Sequence, residues 1–159
     1  MQKRLLCILM LNLMLMISIP VSADAKRDWT IMVYISGDND LEPFALKDLN
    51  EMELGLPGPH VEVIALVDRA KGYSSDEGNW TDTRVFRIKP DKNIKKIKSP
   101  VLKKLKEVNT GDPATLSRFI EDSISHYPAR HYALILWDHG GGWRQMAHDH
   151  DTPGVKGGD

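Results

Sequence analysis

The chain is expected to fold as an α/β/α sandwich around a mostly parallel sheet. Three observations point there. Apolar runs with β-branched or aromatic members recur at Trp29 to Ile35, Val61 to Val67 and Ala133 to Trp137; each run ends at turn formers or a charged or titratable group; and apolar residues at helical spacing fill the intervals. Strands alternating with helices favour parallel pairing with helices on both faces, and runs this continuously apolar suit strands buried on both sides. In open sheets of that kind ligands bind at the carboxyl ends of the strands, which is where Ser36 to Asp40, Asp68 and His139 fall.

The amino terminus stands apart from this pattern. Lys3 and Arg4 precede an apolar run from Leu5 to Ile19, and Val21-Ser22-Ala23 offers small residues to a signal peptidase, so residues 1–23 are read as a secretory signal and residues 24–159 as the folded part. No stable membrane anchor is expected, since Asn12 and Pro20 interrupt the run and it falls short of the ~20 apolar residues that span a bilayer. The product would be secreted or exported to the periplasm or cell surface. At 159 residues with 42% hydrophobic side chains there is material for one domain with a real core. Subtracting Lys3 and Arg4 from 21 Lys+Arg, against 22 Asp+Glu, leaves a formal charge of −3 and suggests no nucleic-acid partner. Cys7, the only cysteine, departs with the signal, so an exported product would hold neither thiol nor disulfide.

Each element has its local reason. Trp29 to Ile35 is a strand broken by Ser36-Gly37-Asp38-Asn39-Asp40. Leu41, Phe44, Ala45, Leu49 and Met52 then form the stripe of an amphipathic helix, capped by Asp40, tolerant of Pro43 in its first turn and closed by Gly55 and Pro57. Val61 to Val67 is the second strand. Gly72 to Trp80 reads as a polar loop, and Thr83 to Ile88 as a weaker strand alternating in period two. Lysines crowd residues 89–106, where Val101, Leu102, Leu105 and Val108 suit a short helix lying on a sheet with a solvated outer face. Asp112 as cap, Pro113 at the first position, the stripe Leu116, Phe119, Ile120 and Ile124, and Pro128 as terminator define a second helix.

That helix leads into YALILWDHGGGW, from Tyr132 to Trp143, the most informative stretch of the chain. An apolar strand runs directly into His139 and three glycines, which let the backbone turn beside whatever the imidazole touches. A histidine so placed can accept a proton from a nucleophile while nearby N–H groups stabilise an oxyanion. Ser36, Ser123, Ser125 and Thr110 show no nucleophile-elbow pattern around them. Residues 147–159 are polar and glycine-rich, and a domain rarely stops so soon after such a strand, so truncation or proteolytic division is expected.

Three blocks in this order, WTIMVYISGDNDLE, EVNTGDPATL and YALILWDHGGGW, make the chain resemble the N-terminal part of the clostripain family, the C11 cysteine endopeptidases of the caspase-like clan, across residues 28–144. The resemblance implies a caspase-like fold of which this chain holds only part. It also implies cleavage after arginine or lysine in peptide or protein substrates, with His139 as catalytic histidine and the Gly140 N–H as oxyanion donor. The cysteine would lie after a further strand, in a downstream segment of the same precursor. Family members are cut between histidine and cysteine, which makes Arg144 and Lys156 candidate processing sites.

The chemistry requires no cofactor. Calcium is weakly suggested as a structural or activating ion by Asp38, Asp40, Asp149 and Asp151, whose spacing lacks the rest of an EF-hand loop. His148 and His150 beside Asp149 suggest a weaker transition-metal alternative, with a metal-dependent hydrolase as its functional counterpart. A non-catalytic peptide-binding or interaction module of the same fold is the other alternative.

Overall fold

The computed structural model describes residues 27–140. Strands β1 (Arg27–Gly37), β2 (Val61–Arg69), β3 (Arg84–Arg87), β4 (Val101–Lys104) and β5 (Ala129–Trp137) form one sheet in the order β4-β3-β2-β1-β5. Helix α1 (Glu42–Gly55) connects β1 to β2, and α2 (Pro113–His126) leads into β5. The expected parallel core is present: β1 pairs in parallel with β2, Val33 facing Ala65, and with β5, Val33 facing Ile135. Only β3 reverses direction, pairing antiparallel with β2 and with β4.

Alternation along the strands builds the two faces. Val33, Ile35, Val63, Ala65 and Val67 pack with Ala45, Leu46 and Leu49 of α1, whereas Met32, Tyr34, Ile64 and Leu66 pack with Phe119 of α2. The helices therefore cover opposite faces, which makes the α/β/α sandwich. Asp112 caps α2 as expected, its Oδ1 accepting from Ala114 N at 2.9 Å, and Pro113 opens the helix. At the far end of the sheet Glu62 binds Arg87 through two hydrogen bonds of 2.7 and 2.8 Å. Burial alone would raise the Glu62 pKa; the Arg87 hydrogen bonds and the charges of Arg87, Lys89 and Arg27 outweigh it and hold the carboxyl below its ordinary value.

Three expectations need correction. The lysine-rich segment forms no helix: Val101–Lys104 is β4, an exposed edge strand against β3. Glu53 Oε1 accepts from Lys98 N and Ser99 N at 2.8 and 2.6 Å, and Pro100 follows, so the chain enters Val101 extended rather than helical. Asp40 does not cap α1, whose N-cap is Leu41 with no side-chain bond. Phe44 and Ile124 leave their stripes and are exposed, at 57% and 39%.

β5, as apolar as a central strand, stands at an edge among the described residues. Leu134, Ile135 and Leu136 are 39%, 47% and 39% exposed, although Met32, Val33 and Tyr34 beside them on β1 are buried.

Candidate functional site

The carboxyl ends of β1, β2 and β5 lie side by side because the three strands are parallel and in register, Ser36 opposite Asp68 and Ile35 opposite Trp137. This gathers the loop after β1, Asp68 and His139 at one margin of the sheet, as anticipated from their strand-end positions. The loop is held internally. Asn39, fully buried, donates through Nδ2 to Ser36 O at 3.1 Å and to Asp138 Oδ1 at 2.7 Å, and its Oδ1 accepts from Leu41 N at 2.9 Å. One residue further along both segments, His139 Nε2 lies 2.8 Å from Asp40 Oδ1. Trp137 Nε1 donates to Asp48 Oδ2 at 2.7 Å and fixes the end of β5 on α1. Both His139 and Gly140 are exposed.

A buried polar network underlies this margin. Asp68 Oδ1 accepts from Thr83 Oγ1 at 2.7 Å and from Arg69 N at 3.1 Å, while Oδ2 accepts from Thr110 Oγ1 at 3.3 Å. Thr110 also meets Ser36 Oγ at 2.6 Å, and its carbonyl accepts from Tyr34 Oη at 2.9 Å. Next to it Arg69 is fully buried, paired with Glu42 and stacked on Trp80 at 4.5 Å. Such a pair positions the β2 end firmly, because removing either partner would strand a buried charge. Ser36 and Thr110 are thus tied to each other, and Ser123 Oγ donates to Phe119 O at 2.7 Å, so these hydroxyls serve the framework.

Close packing of this margin explains Gly37. A Cβ there would lie 2.7 Å from the Asp68 carbonyl oxygen, a backbone atom of the paired strand. Gly37→Ala is therefore expected to destabilise the fold by about 1–3 kcal/mol, the usual range for overpacking. Urea denaturation checks this, and an unchanged midpoint would show that the two strands can part at no cost.

Of the aspartates considered for calcium, Asp38 groups with Asp68 and Glu107, one oxygen of each lying within 4.8 Å of the others. Asp40 is outside that group and faces His139. Sequence reading missed Asp68 and Glu107 as partners of Asp38, since only strand pairing and the segment before α2 bring them together. Asp149, Asp151, His148, His150, Arg144 and Lys156 lie outside the described residues, as does the signal segment with Cys7. A cavity of about 520 Å³ opens between α2 and the face of β2 and β3, lined mainly by apolar side chains, and does not include His139. A smaller cleft of about 220 Å³, bounded by Tyr34, Thr110, Leu136 and Asp138, adjoins the strand ends.

The profile of the clostripain family, peptidase C11, matches residues 33–156, from within β1 to beyond His139. The chain belongs to the clostripain family. Clostripain of Hathewaya histolytica is 40% identical over 128 residues, which take in 74% of this chain and 24% of that protein, so the chain spans about a quarter of its curated relative. Among solved clostripain-like structures, a secreted C11 cysteine protease from Bacteroides thetaiotaomicron, in complex with an irreversible peptide inhibitor, is 29% identical. It matches 74% of this chain and 31% of that one with a TM-score of 0.58. A B. fragilis cysteine protease shares the fold at 22% identity and TM-score 0.59, over 77% of this chain and 98% of that one. The three blocks that carried the clostripain resemblance meet in space: the β1 loop, Thr110 and the end of β5 are joined by the Ser36, Tyr34, Asn39 and Asp40 contacts described above.

Proposed function

We propose that this chain is the histidine-bearing portion of an exported cysteine endopeptidase that cleaves after arginine or lysine. The observation that carries the reading is His139 itself, held at the carboxyl end of β5 beside the loop after β1, in a chain of the clostripain family. His139 takes the proton of a cysteine thiol, the thiolate attacks the scissile carbonyl carbon, and the N–H of Gly140 donates to the oxyanion. The imidazolium returns its proton to the leaving amine as the C–N bond breaks, and water then hydrolyses the acyl-enzyme.

The thiol comes from a downstream segment of the same precursor, since Cys7 would be lost with the signal at residues 1–23. The two sheet edges support this. β4 carries Lys103 and Lys104, charges that discourage further pairing, whereas β5 offers Leu134, Ile135 and Leu136 half exposed. Seating the cysteine-bearing segment along β5 would cover that surface. Processing at Arg144 or Lys156 would leave two associated pieces. The chemistry needs no metal; a structural calcium would find its oxygen donors at Asp38, Asp68 and Glu107 rather than at Asp40.

The test is turnover by the full-length precursor on fluorogenic peptides ending in Arg, Lys, Asp or Leu. Hydrolysis confined to Arg and Lys and abolished by iodoacetamide is expected. Turnover that survives alkylation but is lost to 1,10-phenanthroline would instead favour a metal hydrolase using His148 and His150.

A further inference from the structure

We infer that Asp40 is the positioning residue for His139: its carboxylate accepts the Nε2–H and leaves Nδ1 as the nitrogen that takes the thiol proton and returns it to the leaving amine. The assignment rests on the cysteine-peptidase reading above. It begins from the 2.8 Å contact between Nε2 and Asp40 Oδ1. An ionised carboxylate can only accept, so the ring nitrogen it binds must carry the hydrogen, whether the imidazole is neutral or charged. In the neutral ring only Nδ1 then has a lone pair to offer.

The contact is built rather than incidental. The preceding residues of the same two segments form their own rung, Asn39 Nδ2 to Asp138 Oδ1 at 2.7 Å, and Asn39 is fully buried. Further bonds from Asn39 to Ser36 O and from Leu41 N to Asn39 Oδ1 leave the loop little freedom to carry Asp40 away. On the other side Trp137, two residues before His139, is fastened to Asp48. Both neighbours of the pair are thus fixed to the scaffold, which is how an orienting partner must be mounted to hold an imidazole in one tautomer. Asp40 does not cap α1, and a pair whose side chains are 47% and 65% exposed adds little to stability.

Two measurements decide it. In the full-length precursor, Asp40→Ala should lower kcat by about 10- to 100-fold with KM unchanged, less than the roughly 10⁴-fold found where the orienting carboxylate is buried. Asp40→Glu should recover most of that loss, and thermal midpoints should confirm that the variants remain folded. Independently of turnover, ring ¹⁵N spectra of the histidine-labelled chain, with His139→Ala for assignment, should show Nε2 protonated in the wild type. Asp40→Ala should relax this toward the tautomer mixture of a free imidazole. A precursor without turnover sinks the peptidase reading alone. An active precursor in which the Asp40 variants change neither kcat nor the ring spectra sinks the positioning role alone, as does a wild-type ring protonated on Nδ1.

Discussion

Replacing His139 by Ala in the full-length protein is expected to remove peptide-bond cleavage after Arg or Lys while the protein stays folded. The loss should be on the order of 10²–10⁴-fold or more, because the same group must generate the thiolate and protonate the leaving amine. The fold should tolerate the change: the imidazole is exposed, its partner Asp40 is exposed too, and an open pair of this kind is worth about 0–1 kcal/mol. Activity and stability are therefore separable at this position. Full turnover by a folded His139→Ala variant would refute the assignment, and a variant that unfolds would show that the histidine is part of the framework.

Residues 24–159 alone are expected neither to hydrolyse peptides nor to react with thiol-directed inhibitors, and to self-associate through β5. The chemical half follows from inventory, since the stretch contains no cysteine and a base without its nucleophile can only exchange protons. The physical half follows from β5. Leu134 and Leu136 lie on the α2 side and Ile135 on the α1 side of the sheet, as their β1 partners Met32, Tyr34 and Val33 do, yet they are 39–47% exposed where those partners are buried. Among the described residues β5 pairs only with β1, leaving its other margin of N–H and C=O groups as a template for a further strand. Covering three such side chains is worth about 25 cal/mol per Å² of apolar surface removed from water, which favours the seating of a complementary strand there. Co-expression with the downstream segment should restore solubility and activity together. Light scattering and an inhibitor-labelling gel check both parts. A monomeric, thiol-reactive 24–159 product would overturn the proposal, and charged substitutions such as Ile135→Lys should disperse the self-associated form.

Much of this architecture was legible because it is written in short-range pattern. The runs around Val33, Ala65 and Ile135 announce parallel strands without reference to the rest of the chain, though only the first two are buried among the described residues, and Asp112-Pro113 announces the start of α2, since capping is a contact over two residues. The strand end at His139 was visible for the same reason. The segment around Val101 misled because its apolar spacing fits a helix as well as an edge strand, and the deciding contacts come from Glu53, 45 and 46 residues away.

The amino-acid sequence by itself determined the sheet's parallel core, the two covering helices and the presence of a histidine at a strand end, because each depends on apolar periodicity and local turn chemistry. Tertiary structure alone decided what that imidazole meets. Asp40 looks like a helix cap beside Leu41, but the backbone before α1 leaves its carboxylate turned outward, and parallel pairing of β1 with β5 brings His139 to it across 99 residues. Parallel pairing of β1 with β2, together with the segment before α2, draws Asp38, Asp68 and Glu107 into one cluster, and the strand order places the apolar β5 at the margin opposite the lysines of β4. Such contacts are set by strand order and register, which the packing of two helices on opposite faces of one sheet imposes and which no local pattern records.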